Sequence, residues 1–264
     1  MLILAAVMLL AVLSGCAGKE NAVSVGPVEG QSDLAYIQEK GTLVVGVTEY
    51  APMDYRQDDR WTGFDAELAA GFAQMLGVQV EFVEINWDDK VRLLENGRID
   101  CIWNGMALTE QLQRTISCTE PYLSNGQVAV FRARDIGRYT TVESCSHVLF
   151  AVEAGSTGVS VLKDLRYRYT TFDTQLAALQ SVSARKTDAA VVDLVMADYY
   201  IREVQPDLAF SLMLKDEHFC AGFRKDSDLT GLANEYLSAV YADGTIQTLA
   251  EKYGIEGALL YSET

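Results

Sequence analysis

Three short segments of this chain carry residue types that could bind a small molecule, and each follows or ends an apolar run. They are Asn104-Gly105, Ser156-Thr157 and Asp193. In open α/β sheets, ligands bind at the carboxyl ends of the strands. Because glycine has no Cβ, a ligand can approach the backbone closely at Gly105. We therefore interpret residues 104–109 as the rim of a small-molecule site, although a strand-to-helix connection that binds nothing has the same pattern.

The other two segments suggest complementary charges. Ser156-Thr157 lies in a Gly-Ser-Thr-Gly turn before a helical pattern, where free backbone N–H groups and hydroxyls suit an anion. Asp193 ends an apolar strand pattern, where a carboxylate is placed to meet a cation. An ordinary helix cap is the alternative in both cases.

The composition sets limits on the class of protein. The chain has 264 residues, 49% of them hydrophobic and 22% charged, which is enough to bury a core in one large domain or two small ones. Its net charge of -16 argues against nucleic acid as a partner, because phosphate binding needs a basic surface. The same charge disfavours electrostatic docking to anionic lipid.

The N-terminus is interpreted as an export signal. Residues 1–14 are apolar and uncharged, and Leu13-Ser14-Gly15-Cys16 resembles a bacterial lipobox. This predicts a signal peptide over residues 1–16, lipidation of Cys16 and a flexible tether over residues 17–32. The protein would then be extracytoplasmic and attached to the membrane only through its lipid. Since no Lys or Arg precedes the apolar run, either the true start lies upstream or the export signal is weak.

The hydrophobic periodicity predicts two α/β halves. The first reads βαβαβ, so the sheet should be mainly parallel with right-handed crossovers. Strands are predicted at residues 43–48, 78–84, 99–103, 128–131, 148–152, 188–193 and 219–223. Helices are predicted at residues 65–76, 88–96, 110–114, 159–165, 175–184, 194–201, 229–241 and 245–253, the first of them capped by Asp65.

Four cysteines follow Cys16, and their spacing matches no zinc or iron–sulfur pattern. We therefore expect neither a metal nor another cofactor. A disulfide between Cys145 and Cys220 and a set of buried free thiols are both compatible with the sequence.

Several blocks together resemble the family 3 extracellular solute-binding proteins, which deliver polar amino acids to ABC importers. The blocks lie at residues 41–47, 63–68, 99–106, 119–122, 154–158, 188–193 and 222–225. Each block alone is a weak signal, but their order and spacing are specific, and the resemblance covers about residues 33–254.

The resemblance implies a two-lobed α/β fold of the periplasmic-binding-protein type (type II, Venus-flytrap), with two hinge strands. Residues 33–123 plus 224–264 would form lobe 1 and residues 124–223 lobe 2, with hinge crossings near residues 123–125 and 219–222. A solute would bind between the lobes, which close over it, and an ABC permease would receive it. We expect a monomer without catalytic activity.

The resemblance also assigns roles to nine cleft residues. Thr48 and Tyr50 would form the rim, Trp87 an apolar shelf, Asn104, Gly105 and Ala107 the contacts to the solute's head group, Ser156 and Thr157 the carboxylate site, and Asp193 the partner of the α-amino group.

One departure from the family pattern affects specificity. Leu112 occupies the position where typical members have an arginine that clamps the α-carboxylate, and leucine cannot imitate that bidentate pair. Arg114 is about 200° further round a helix and should point away. The sequence therefore predicts weak binding of ordinary α-amino acids, or a solute that has an amino group but no free α-carboxylate. Ala107 also replaces a usual Ser or Thr.

Two other functions compete with transport. The same scaffold includes dehydratases, but an enzyme needs an acid or base in the cleft, and neither His147 nor His218 falls at a predicted ligand position. The third hypothesis is a degenerate sensor or adhesion lipoprotein that has lost its solute. It is suggested by Leu112 at the position of the family arginine. A neighbouring permease and ATPase gene would favour transport.

Overall fold

The computed structural model describes residues 26–27 and 30–260 of the chain. The predicted signal peptide, Cys16 and most of the predicted tether lie outside these residues. No helix in the part of the chain that is described has the length and apolar character needed to cross a membrane.

Helices and strands alternate along most of the chain. The helices are α1 (Asp33–Lys40), α2 (Phe64–Met75), α3 (Lys90–Glu95), α4 (Glu110–Thr115), α5 (Thr157–Asp164), α6 (Gln175–Ser183), α7 (Leu194–Glu203), α8 (Leu229–Ala242) and α9 (Thr245–Tyr253). The strands are β1 (Thr42–Val47), β2 (Tyr55–Gln57), β3 (Arg60–Thr62), β4 (Gln79–Glu84), β5 (Cys101–Ala107), β6 (Ser117–Cys118), β7 (Leu123–Arg132), β8 (Leu149–Glu153), β9 (Arg168–Phe172), β10 (Ala189–Asp193) and β11 (Leu208–Phe223). A short 3-10 segment, Trp87–Asp89, precedes α3.

The main sheet has the strand order β4-β1-β5-β11-β7-β10-β8-β9, with β6 paired to β11 and β2–β3 forming a separate ribbon. The strands on each side of the centre are parallel. On one side β1 is parallel to β4 and β5, and on the other side β8 is parallel to β9 and β10. The two central strands, β7 and β11, run antiparallel to each other and to their outer neighbours, β10 and β5. The prediction of a mainly parallel α/β arrangement thus holds within each half of the sheet and fails at its centre.

β7 and β11 connect the two halves. Leu123 is paired with Phe219, and Asn125 with Glu217, so the two predicted hinge crossings lie side by side. β11 spans 16 residues, whereas the sequence predicted a strand only from residue 219. The earlier part of β11 is half-exposed and carries the charged run that begins at Lys215, so it lacks the continuous apolar pattern of a buried strand.

β5 also continues further than predicted, through Asn104 and Gly105 to Ala107. All of its residues are buried, because β5 lies between β1 and β11 in the middle of its half. Residues 104–107 therefore belong to a strand rather than to a loop at the rim.

The predicted capping role of Asp65 is wrong. Gly63 occupies the N-cap position of α2, and Asp65 lies in the first turn, fully buried. Its carboxyl oxygens accept hydrogen bonds from the Gly105 N–H at 2.6 Å and from the Tyr122 hydroxyl at 2.8 Å. Asp65 therefore ties α2 to β5 and to the start of β7.

The predicted disulfide between Cys145 and Cys220 is also wrong. Cys101, Cys118, Cys145 and Cys220 are all free thiols in the described structure, as the alternative prediction had it. Cys145 is buried in the apolar core beneath β8 and β10, while Cys220 packs in a separate core with Ile102 and Met106. Two thiols in separate cores cannot be bridged without backbone movement.

Candidate functional site

A cleft of about 830 Å³ lies between the two halves of the sheet, at the carboxyl ends of β1, β5, β8 and β10. Its volume is within the usual range for small-molecule sites. All nine residues that the sequence assigned to the site line this cleft: Thr48, Tyr50, Trp87, Asn104, Gly105, Ala107, Ser156, Thr157 and Asp193. Their contacts with a solute remain predictions.

The two sides of the cleft are in contact. Gly155, after β8, packs against the backbone of Asp88, after β4, so closely that a Cβ on Gly155 would lie 2.7 Å from the Asp88 Cα. The two strands are six positions apart in the sheet order, which in a flat sheet would be about 29 Å. The two halves must therefore be folded towards each other, as in a closed cleft.

Asp193 ends β10 and occupies the N-cap position of α7, but its side chain makes no capping hydrogen bond. Instead, its carboxyl accepts hydrogen bonds from Asn125 Nδ2 at 2.5 Å, from Gln127 Nε2 at 2.7 Å and from Gln175 Nε2. Burial and the nearby charge of Glu217 raise the pKa of Asp193 to about 7. Three side-chain amides thus fix this carboxyl at the wall of the cleft.

Two further carboxyl groups surround Asp193. Glu153, at the end of β8, lines the cleft and is 3% exposed, and burial together with Asp193 raises its pKa to about 8. Glu217 lies behind the wall, where Oε2 accepts hydrogen bonds from Gln127 Nε2 and from the Thr157 hydroxyl, both at 2.9 Å. Buried carboxyl groups in one place repel each other, so a cation bound among them would be stabilised.

Tyr50 faces Asp193 from the opposite side of the cleft. Its side chain is 3% exposed, and its buried hydroxyl has no hydrogen-bond partner in the described structure. Burial, followed by the charge of Asp193, raises its pKa well above the usual value. The ring packs on Gly105, where a Cβ would lie 2.3 Å from the Tyr50 Cε1, so only glycine fits there. The unpaired hydroxyl beside Asp193 is a donor or acceptor available to a solute.

Asn104 forms hydrogen bonds with Thr48 and with a buried acid, Asp54. Asn104 Oδ1 accepts from the Thr48 N–H at 3.0 Å and from its hydroxyl at 2.8 Å, while Asn104 Nδ2 donates to Thr48 O at 3.2 Å and to Asp54 Oδ2 at 2.7 Å. These four bonds use the full capacity of a side-chain amide. Burial, then the charge of Asp65, raises the pKa of Asp54 well above its usual value. The Asn104 amide therefore positions Thr48 and has no donor left for a solute.

The two hydroxyls predicted to bind the solute's carboxylate already donate hydrogen bonds within the protein. The Ser156 hydroxyl donates to the Glu153 carbonyl at 2.8 Å, and the Thr157 hydroxyl donates to Glu217 Oε2. Leu112 lines the cleft where the family arginine would be, and Arg114 is 72% exposed and pairs with Glu110 at 3.8 Å. Arg114 is absent from the described lining of the cleft and does not replace the missing arginine.

Sequence reasoning missed Lys90, Glu153 and Glu217. Glu153 lies two residues before the first glycine of the Gly-Ser-Thr-Gly turn, which is a usable signal, whereas Glu217 lies in a charged run and Lys90 follows two aspartates. Charged runs usually indicate a solvated surface, so nothing local in the sequence marked Lys90 and Glu217 as buried.

The comparisons with known proteins agree with this architecture. Residues 43–256 match the family of bacterial extracellular solute-binding proteins, family 3, and the chain belongs to that family. Proteins of this family are extracytoplasmic.

Two relatives have named solutes. The chain is 26% identical to the L-cystine-binding protein TcyJ of Escherichia coli (strain K12), over 88% of this chain and 89% of that protein. It is 23% identical to the arginine-binding extracellular protein ArtP of Bacillus subtilis (strain 168), over 85% of this chain and 90% of that protein.

A solved structure matches the whole fold. The ancestral amino acid-binding protein AncCDT-1, described as a precursor of cyclohexadienyl dehydratase, superposes with a TM-score of 0.79 at 29% identity, covering 84% of this chain and 99% of that one. The two-lobed fold predicted from the sequence is thereby confirmed, and the relatives show that this domain serves amino acid binding and, in some family members, catalysis.

Proposed function

We propose that this protein is a membrane-anchored extracellular solute-binding protein. It captures a polar amino acid or a related amino compound in the cleft and delivers it to the permease of an ABC transporter. The observation that carries the proposal is the buried carboxyl of Asp193, held by three amides beside the unpaired Tyr50 hydroxyl. A fixed carboxyl in a cleft of this size suits the ammonium group of a small solute.

In this proposal, lobe 1 consists of residues 33–123 plus 224–264, and lobe 2 consists of residues 124–223. The pairing of Leu123 with Phe219 supports these boundaries, because both chain crossings meet at that point. Opening and closing at the crossings would expose and enclose the cleft, and the solute would shift the population towards the closed form.

Catalysis is not part of the proposed function. Both histidines, His147 and His218, are exposed, and neither belongs to the described lining of the cleft. The buried carboxyls of Asp193 and Glu217 accept hydrogen bonds from side-chain amides and from the Thr157 hydroxyl, an arrangement that suits recognition of a cation.

The solute is best tested by calorimetric titration with L-cystine, L-arginine and L-histidine, since relatives bind cystine and arginine. We expect at least one amino-bearing compound to bind with a dissociation constant of about 1 μM or below, that is, about -8 kcal/mol. Failure of all three amino acids, and of their decarboxylated amines, to bind would contradict capture of an amino compound.

The anchor and the permease need separate tests. Metabolic labelling with an alkyne fatty acid should mark the protein in its native host and should not mark a Cys16→Ala variant. Crosslinking in membranes should recover a permease subunit with the anchored protein when solute is present. Labelling of the Cys16→Ala variant would contradict the lipid anchor.

A further inference from the structure

Lys90 is the buried cation of the cleft. Among the lysines that line it in the described structure, Lys163 is exposed, and Lys215 lies 3.3 Å from Glu217 Oε1. Lys90 is only 8% exposed. No carboxylate of the described residues is within ion-pair distance of its ammonium, so its charge is buried without a direct counter-ion.

The Lys90 ammonium is held in place by neutral groups. Nζ donates to the carbonyl oxygens of Trp87 and Gly155, each at 3.1 Å, and lies 4.5 Å from the centre of the Trp87 ring. An ammonium group has three N–H donors. Two are used by these carbonyls, and the third is available to another acceptor.

The ammonium lies at the turn where the family resemblance places the solute's carboxylate. Gly155 directly precedes Ser156 and Thr157, whose hydroxyls donate to other groups of the protein. Leu112 offers no donor. Lys90 therefore brings to this turn a positive charge in place of the family arginine that this chain lacks at Leu112.

The electrostatics of Lys90 favour an anionic partner. Burial lowers its pKa to about 8, and the charges of Glu153 and Asp88, the groups that act on it from β8 and from its own segment, offset only part of that effect. A buried ammonium is unfavourable unless it is paired. A carboxylate brought by the solute would supply the missing pair.

We propose that Lys90 is the specificity-determining residue of the cleft and that its ammonium binds the solute's carboxylate in place of the absent arginine. The solute is then an amino acid with a free carboxylate, in contrast to the expectation drawn from Leu112 alone. This inference rests on the proposed function and names the solute class of the same cleft.

The test compares amino acids with their decarboxylated counterparts. Dissociation constants are measured by calorimetry for L-arginine and agmatine and for L-histidine and histamine, with the wild-type protein and with Lys90→Met. We expect the wild type to prefer the carboxylate-bearing member of a pair by at least about 30-fold, and Lys90→Met to abolish that preference by weakening only that member.

Two variants serve as controls. Lys90→Arg keeps a cation and should retain most of the preference. Lys186→Met removes an exposed lysine outside the described lining of the cleft and should change affinity by less than about threefold, because exposed charges are screened by solvent. Equal losses for amino acid and amine in Lys90→Met would show that Lys90 only supports the fold, and would overturn the proposal.

A second measurement follows the charge of Lys90 itself. Lysine Nζ resonances, assigned with Lys90→Met, are titrated with and without saturating L-arginine or L-histidine, whichever binds. Pairing with a carboxylate should raise the pKa of Lys90, while the matching amine should leave it unchanged. An unchanged pKa with the amino acid bound would overturn the role of Lys90 and leave solute capture standing. Failure of all four compounds to bind would count against the proposed function and this proposal together.

Discussion

The carboxyl groups of Asp193 and Glu217 accept hydrogen bonds from the same nitrogen, Nε2 of Gln127, at 2.7 and 2.9 Å. One amide thus holds together an acid at the wall of the cleft, Asp193, and an acid behind it, Glu217. Burial and the charge of Glu217 raise the pKa of Asp193 to about 7, so the empty site takes up protons near neutral pH. A bound cation favours the ionised form and must displace those protons.

The affinity for a cationic solute should therefore rise with pH. Between about pH 5.5 and about pH 7.5, we expect L-arginine to bind at least about tenfold more tightly at the higher pH, because its own charges stay constant there while Asp193 ionises. Calorimetry at the two pH values measures the change. Glu217→Gln should move the midpoint to lower pH, since it removes the charge that raises the pKa of Asp193. A flat profile in the wild type would contradict this account.

The stability of the solute-free protein should change in the opposite direction. Burial raises the pKa of Asp65 to about 7, well above the value of about 4 for an unfolded chain. The folded state therefore binds more protons between these values, and the free energy of unfolding falls as pH rises through that window. We expect the melting temperature to drop between about pH 5 and about pH 7.5, by about 2–4 °C for each kcal/mol lost. Asp65→Asn should flatten the slope, and a melting temperature that rises through this window would contradict the assignment.

Restoring the family arginine should improve recognition of carboxylates. In Leu112→Arg, a guanidinium at the cleft wall could form a bidentate pair with a solute carboxylate, so L-arginine should bind at least about tenfold more tightly while agmatine gains nothing. Arg114→Ala is the matched control and should leave both affinities unchanged, because Arg114 is exposed and paired with Glu110. A loss of binding in Arg114→Ala would show that this arginine reaches the solute after all.

A methyl group on Gly155 should hinder closure of the cleft. In Gly155→Ala, the new Cβ would lie 2.7 Å from the Asp88 Cα, so the two sides cannot approach as they do here. We expect solute affinity to fall by more than about tenfold, while the left-handed backbone conformation costs only about 1–2 kcal/mol of stability. Binding and melting curves separate the two effects. Unchanged affinity would mean that the Asp88 contact is not needed for binding.

The sequence was sufficient where local patterns and packing agree. α9 has the bounds predicted for it, and Asp193 lies at the carboxyl end of a strand, as the apolar run before it indicated. All nine predicted site residues line one cleft. They do so because each lies at or shortly after the carboxyl end of a strand.

The sequence was insufficient where the environment of a residue depends on distant segments. Glu217 and Lys90 have the sequence surroundings of surface residues, yet both are buried by segments that are distant along the chain. Lys90 contacts Gly155 across the cleft, and Glu217 contacts Gln127 and Thr157. β2, β3, β6 and β9 are short or half-exposed and carry no strong periodicity. Asp65 was predicted to cap its helix, but long-range hydrogen bonds to Gly105 and Tyr122 determine its role.

The most direct measurement is a thermal-shift comparison of the wild type, Asp193→Asn and Asp198→Asn with L-arginine, L-histidine and L-cystine. A ligand that binds only the folded state raises the melting temperature by mass action. Asp198 lies on the exposed surface of α7 and is the control. We predict that at least one of these amino acids stabilises the wild type and Asp198→Asn and that Asp193→Asn loses the shift. An undiminished shift in Asp193→Asn would contradict capture of an amino compound at Asp193.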